Sequence, residues 1–210
     1  SPNSVLNYMC GCDINNPNDR KSLFYDETVE PLLGIWFRSG TALDDFCKPF
    51  SSVIRELKAD PQTLVEDNWF TIEGQVARVL LADQLSRSCF RGTAEAFSYD
   101  CIGRELVRDL VSKEKVEQTL KLPPALLYLL PWALAHSEKI VDLVRASEII
   151  DMAIGAYPNF SLFEGRNKKA VDQHRQVLEK FGRYPQRNSE FGRANTPEED
   201  KWLNDKENLP

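Results

Sequence analysis

The sequence predicts an all-α single domain, roughly six to nine helices joined by short polar turns into an array or superhelix. Apolar residues recur at three- and four-residue spacing through most of the chain, and helix-start signals precede several of these runs. No stretch shows the apolar–polar alternation of a half-buried strand. With 210 residues, 42% hydrophobic and 28% charged, the chain suits one globular core and not a membrane protein. Its net charge of −6 repels phosphate backbones, which argues against general nucleic-acid binding unless a basic patch is gathered locally.

Taken in order, residues 1–25 lack periodicity, are rich in asparagine (Asn3, Asn7, Asn15, Asn16, Asn18) and contain Pro17. Asparagine favours turns, so this segment is expected to be an extended N-terminal arm, flexible or docked on a partner, preceding a helical domain over 26–210. Phe46, Phe50, Val53, Ile54 and Leu57 share a helical face interrupted by Pro49, and Asp60-Pro61 reads as a cap followed by a first-turn proline. The clearest helix runs from Thr71 to Ser88, and others are expected over about 93–111, 123–135, 137–154 and 167–181. Thr196-Pro197-Glu198-Glu199 carries a capping box for the last helix. The most apolar run, Leu122–Ala135, holds three prolines and falls short of the roughly twenty residues a membrane span needs.

The five cysteines (Cys10, Cys12, Cys47, Cys89, Cys101) are odd in number and irregular in spacing, which suggests reduced thiols in a reducing compartment. Cys10-Gly11-Cys12 is at best half a metal site, and a flexible arm explains it as well. No metal set and no cofactor are implied. The chain starts without methionine or a secretory signal, which reads as a trimmed start or as a removed targeting peptide. The first suits the cytoplasm, the second an organelle stroma or matrix such as that of a plastid or mitochondrion.

Three places put charge where aliphatic groups belong. The stripe Trp69, Ile72, Val76, Val79, Leu80 continues into Asp83 and Arg87, with Arg91 beyond. This is either an exposed ion pair worth at most about 1 kcal/mol or a buried network. The second place, Phe181–Arg193, sets Arg183, Arg187 and Arg193 among glycine, proline, aromatic residues and Asn188. Arginine forks bind carboxylate or phosphate, so the loop is an anion pocket or a clamp holding the last helix to groups such as Asp83 or Glu138. The third, His136-Ser137-Glu138, is first a helix start, with Ser137 as cap. His174 lies on the apolar line Val171–His174–Leu178–Phe181 and reads as a hydrogen-bonded core histidine. Phosphate loops, zinc-protease motifs and nucleophile elbows are absent from the sequence.

These blocks resemble the "domain of unknown function 924" family. The first is Leu80-Leu81-Ala82-Asp83-Gln84-Leu85-Ser86-Arg87, continuing through Phe90-Arg91-Gly92-Thr93 to Ala96-Phe97 and Asp100. The second runs from Pro131 to Glu138, and the third from Phe181-Gly182-Arg183-Tyr184-Pro185 through Arg187-Asn188 and Gly192-Arg193 to Glu199 and Leu203. The resemblance covers about Ile35 to Leu203 and implies a tetratricopeptide-like α–α superhelix. It also implies that Asp83, Arg87, Arg91, His136, Glu138, Arg183 and Arg187 form one polar cluster. Ser88 stands where the family commonly has asparagine and Gln186 where it has histidine, and the missing histidine weakens any acid–base role for that cluster here. The function expected first is a helical scaffold or adaptor for a protein partner, possibly engaged through the arm, with a mainly structural cluster. The alternative is an enzyme or small-molecule binder holding an anionic metabolite among Arg87, Arg183 and Arg187.

Overall fold

The computed structural model describes residues 1–37, 47–59 and 67–205, and those residues are helices and turns without strand. The expected positions Phe46 and Asp60-Pro61 lie outside the described residues. The longest helices are α1 (Pro2–Cys10), α2 (Pro17–Ser22), α3 (Asp26–Trp36), α4 (Ser51–Ala59), α5 (Ile72–Leu80), α6 (Asp100–Leu110), α7 (Pro124–Ala135), α8 (Ile140–Ala156), α9 (Lys169–Phe181) and α10 (Pro197–Asn204). Helix α7 is buried along its whole length and packs against α5, α6, α8 and α9. It is apolar all round because it is enclosed on every side. Among the described residues no helix is long and apolar enough to cross a membrane.

The N-terminal segment departs from its expected extended form. Ser1 caps α1 by accepting the Ser4 N–H, and Gly11, at φ 64°, closes its other end. Val5, Leu6, Met9 and Cys10 are buried, and the helix packs on α5 and α3. Trp36 donates its indole N–H to the Met9 carbonyl at 2.7 Å. The asparagines act locally: Asn16 caps α2 through the N–H groups of Asn18 and Asp19, and Asn7 accepts from the Ile14 N–H. Polar caps had masked the helical spacing of Val5, Leu6 and Met9.

Thr71 caps α5 as expected, accepting the Gly74 N–H at 3.0 Å. Gly74 is required by space, since a Cβ there would stand 1.9 Å from the Asn68 carbonyl oxygen. Beyond α5 the chain widens into a π-turn, Leu81–Leu85, before one more helical turn, Ser86–Cys89. A π-turn inserts an extra residue into the helical register, and here it spans Asp83. A second π-turn, Phe163–Lys168, leads into α9, and Gly182 ends that helix at φ 70° before the arginine loop. The capping box of α10 is present, with Thr196 and Glu199 each taking the other's backbone N–H.

Because α1 is part of the core, Leu6→Ala is expected to destabilise the protein by about 2–5 kcal/mol. Urea denaturation measures this; a change within about 0.5 kcal/mol would return the segment to the status of an appendage.

Candidate functional site

Asp83 is 1% exposed and stands at the centre of the site. Its Oδ1 lies 2.7 Å from His136 Nδ1 and 3.3 Å from Arg87 Nη2, and its Oδ2 accepts from Gln84 Nε2 at 2.6 Å. Arg87, one turn on, also donates to the Asp83 carbonyl at 3.0 Å and grips both oxygens of Asp100 at 2.9 and 3.3 Å. Asp100 opens α6, and small residues let the helices meet: a Cβ on Gly103 would stand 3.5 Å from Ala133 Cβ and 3.6 Å from Ala82 Cβ. Burial opposes ionisation of Asp83, but the charges of His136 and Arg87 and the hydrogen bonds from His136 and Gln84 outweigh it, so the carboxyl falls below its ordinary range.

The arginine loop reaches the same centre through Arg187. That residue donates from Nη1 to the His136 carbonyl at 2.8 Å and lies 3.6 Å from Asp100 Oδ2. Its guanidinium lies 4.9 Å from the ring centroids of both Phe97 and Tyr184. Glu138 adjoins this group, taking both arms of Arg193 at 2.8 and 2.9 Å and the Tyr184 N–H at 2.9 Å. These bonds overcome burial and hold its carboxyl low.

Asp83, Arg87, His136 and Arg187 are therefore brought together, with Glu138 and Arg193 alongside. Arg183 is not part of that centre; it forks onto Glu199 at 2.7 and 2.8 Å and fastens α10 to the loop. This corrects the expected convergence of Arg87, Arg183 and Arg187, whereas the expected hold of the loop on Glu138 is made by Arg193. Asn188 is buried and bonds Asn195 at 2.8 Å, a strut within the loop. Arg91 is exposed, past the end of the Ser86–Cys89 turn, and is not part of the buried centre.

The histidines are neighbours as well. His174 donates from Nδ1 to the Ala170 carbonyl at 2.8 Å, and its ring lies 6.0 Å from that of His136 and 5.9 Å from Trp132. Burial, then the charge of His136, push its pKa down to about 4, and burial likewise lowers that of His136 despite Asp83. Burial thus favours the neutral form of both imidazoles. An open groove of about 340 Å³ is lined by Phe97, Asp100, Arg104, His136, Lys139 and Arg187. Burial also lifts the Cys10 thiol to about 12, which leaves it a poor nucleophile and ligand.

Sequence reasoning held Asp100, Trp132 and Tyr184 within the family blocks but did not single them out as site residues. The signal for Asp100 was charge balance, because a buried Asp83 with two arginines required a second carboxylate.

An all-helical protein with an internally paired charge cluster is thus defined, and the comparisons place it. A family model described as "Bacterial protein of unknown function (DUF924)" matches residues 22–207. The chain belongs to that family. It is similar to a solved structure, the protein of unknown function ATU0120 from Agrobacterium tumefaciens, at 28% identity and TM-score 0.63, covering 80% of this chain and 88% of that one. No curated protein matches.

Two predictions follow from this geometry. Asp83→Asn is expected to cost about 3–5 kcal/mol, the penalty for breaking a buried ion network from one side; thermal and urea unfolding test it. Glu199 has its pKa lowered to about 2, first by the hydrogen bonds from Arg183. A carboxyl with a depressed folded pKa stabilises fully above its unfolded pKa of about 4.3 and loses that contribution as pH falls toward 2. Glu199→Gln should therefore flatten the acid limb of stability between about pH 4.5 and 2; an unchanged limb would count against the clamp.

Proposed function

We propose that this protein is a helical scaffold or adaptor for a protein partner, built on a tetratricopeptide-like superhelix, with the Asp83 network mainly structural. The observation that carries this reading is that three of the arginines are already forked by carboxylates of the chain. Arg87, Arg183 and Arg193 each have a guanidinium forked by a carboxylate of the same chain: Asp100, Glu199 and Glu138. An arginine so occupied has little left for an anionic metabolite. Ile140, Val141 and Val144 are 40%, 69% and 45% exposed on one face at the start of α8. Apolar side chains gathered on a polar surface suit a protein contact. Since α1 is packed into the core, this face is a better contact than the N-terminal segment. The thiols of Cys10, Cys12 and Cys101 fit a reducing compartment, cytoplasm or organelle interior.

Affinity capture and size-exclusion chromatography with native extract, comparing wild type with Val141→Asp/Val144→Asp, test the reading. A partner retained by wild type and lost by the variant at unchanged melting temperature is the expected result. A monomer without partners would contradict it.

The second reading, a small-molecule binder or enzyme, is favoured by the Asp83–His136 pair beside the groove. A carboxylate on Nδ1 orients an imidazole whose Nε2 can accept a proton. Thermal-shift screening against phosphates and carboxylates decides between the two. Stabilisation by one of them, lost in Arg187→Ala, supports binding; a lower melting temperature in Arg187→Ala without any ligand effect supports architecture.

A further inference from the structure

The chain has two histidines, and the fold brings both into one place. His136 and His174 come from the end of α7 and the middle of α9, with ring centroids 6.0 Å apart and Trp132 at 5.9 Å from each. Each Nδ1 faces an acceptor: the Asp83 carboxylate at 2.7 Å for His136 and the Ala170 carbonyl at 2.8 Å for His174. Asp83 is ionised and a carbonyl has only lone pairs, so the hydrogen-bond network assigns the ring proton to Nδ1 in both. Each Nε2 is left with a free lone pair. Neither Nε2 is hydrogen-bonded to a described residue, and neither is sealed in the core.

A carboxylate or carbonyl that takes the proton of one ring nitrogen and turns the other toward a ligand is how proteins orient metal-binding histidines. Ring nitrogens bind such ions at about 2.0–2.1 Å, which puts the centroids of two rings sharing a tetrahedral ion roughly 5–5.5 Å apart. The observed 6.0 Å is slightly wider, a gap that small side-chain rotations close. Arg87 and Arg187 are close, but Asp83 and Asp100 match them charge for charge, so no net positive charge meets an incoming cation. Among the described residues no group of three or more His, Cys, Asp or Glu side chains could hold an ion, so the imidazoles would leave coordination positions open.

We propose that His136 and His174 together form a metal site for an imidazole-seeking first-row divalent ion such as zinc, its remaining positions open to water or a small ligand. The proposal stands on the histidine pair and is independent of the scaffold reading.

With two histidines in the chain, long-range ¹H–¹⁵N spectra of the imidazoles report on this site alone. Zinc chloride is titrated into the reduced, full-length protein. The expected result is a joint shift of both Nε2 resonances, complete near one equivalent, and its loss from His136 in His174→Ala and in His174→Gln. Zinc that moves neither ring, as binding through thiols would, overturns the proposal. So does a shift of one ring alone, or a His136 shift that survives both His174 variants.

Discussion

Removing the Asp83 carboxylate from water costs several kcal/mol, and most of what surrounds it offsets that cost. Gln84 and Arg87 come from its own helical segment, Asp100 from the start of α6, His136 from the end of α7, and Arg187 from a loop about a hundred residues further along. Each group is costly alone and tolerable in company. The network therefore fixes how the π-turn after α5, the two helix ends and the arginine loop must sit. The apolar core around α7 supplies bulk stability, whereas the charges specify one arrangement of the segments that frame it.

The same logic explains what was legible in the sequence. Asp83 and Arg87 stood out because they continue an apolar stripe, and such positions find partners. His136 and Arg187 were legible through the family blocks, and the structure puts them within hydrogen-bonding reach of that centre. Arg183 was misassigned because an arginine-rich loop gives no sign of which fork faces which carboxylate. Glu199, read as half of a capping box, is also the acceptor of Arg183. The N-terminal helices were missed for a different reason. Asparagine signals turns and caps alike, and only the burial of Val5, Leu6 and Met9 separates the two. The break in α5 was equally hidden, since nothing in Leu81–Leu85 marks an extra residue per turn.

For function, the arrangement separates two kinds of polar group. Arg87, Arg183 and Arg193 are each forked by a carboxylate of the chain. The imidazoles are held through their Nδ1 atoms, and the proposed metal site draws on their Nε2 atoms. Exposed aliphatic side chains at the start of α8 are a separate surface with separate physics.

The central claim is that the charges cooperate inside the fold and do not merely coexist. A double-mutant cycle between Arg87→Met and Asp100→Leu, read by urea unfolding, measures this directly. The account predicts a coupling of about 1.5–3 kcal/mol, with the double variant less destabilised than the sum of the singles. Additive losses within about 0.5 kcal/mol would contradict it.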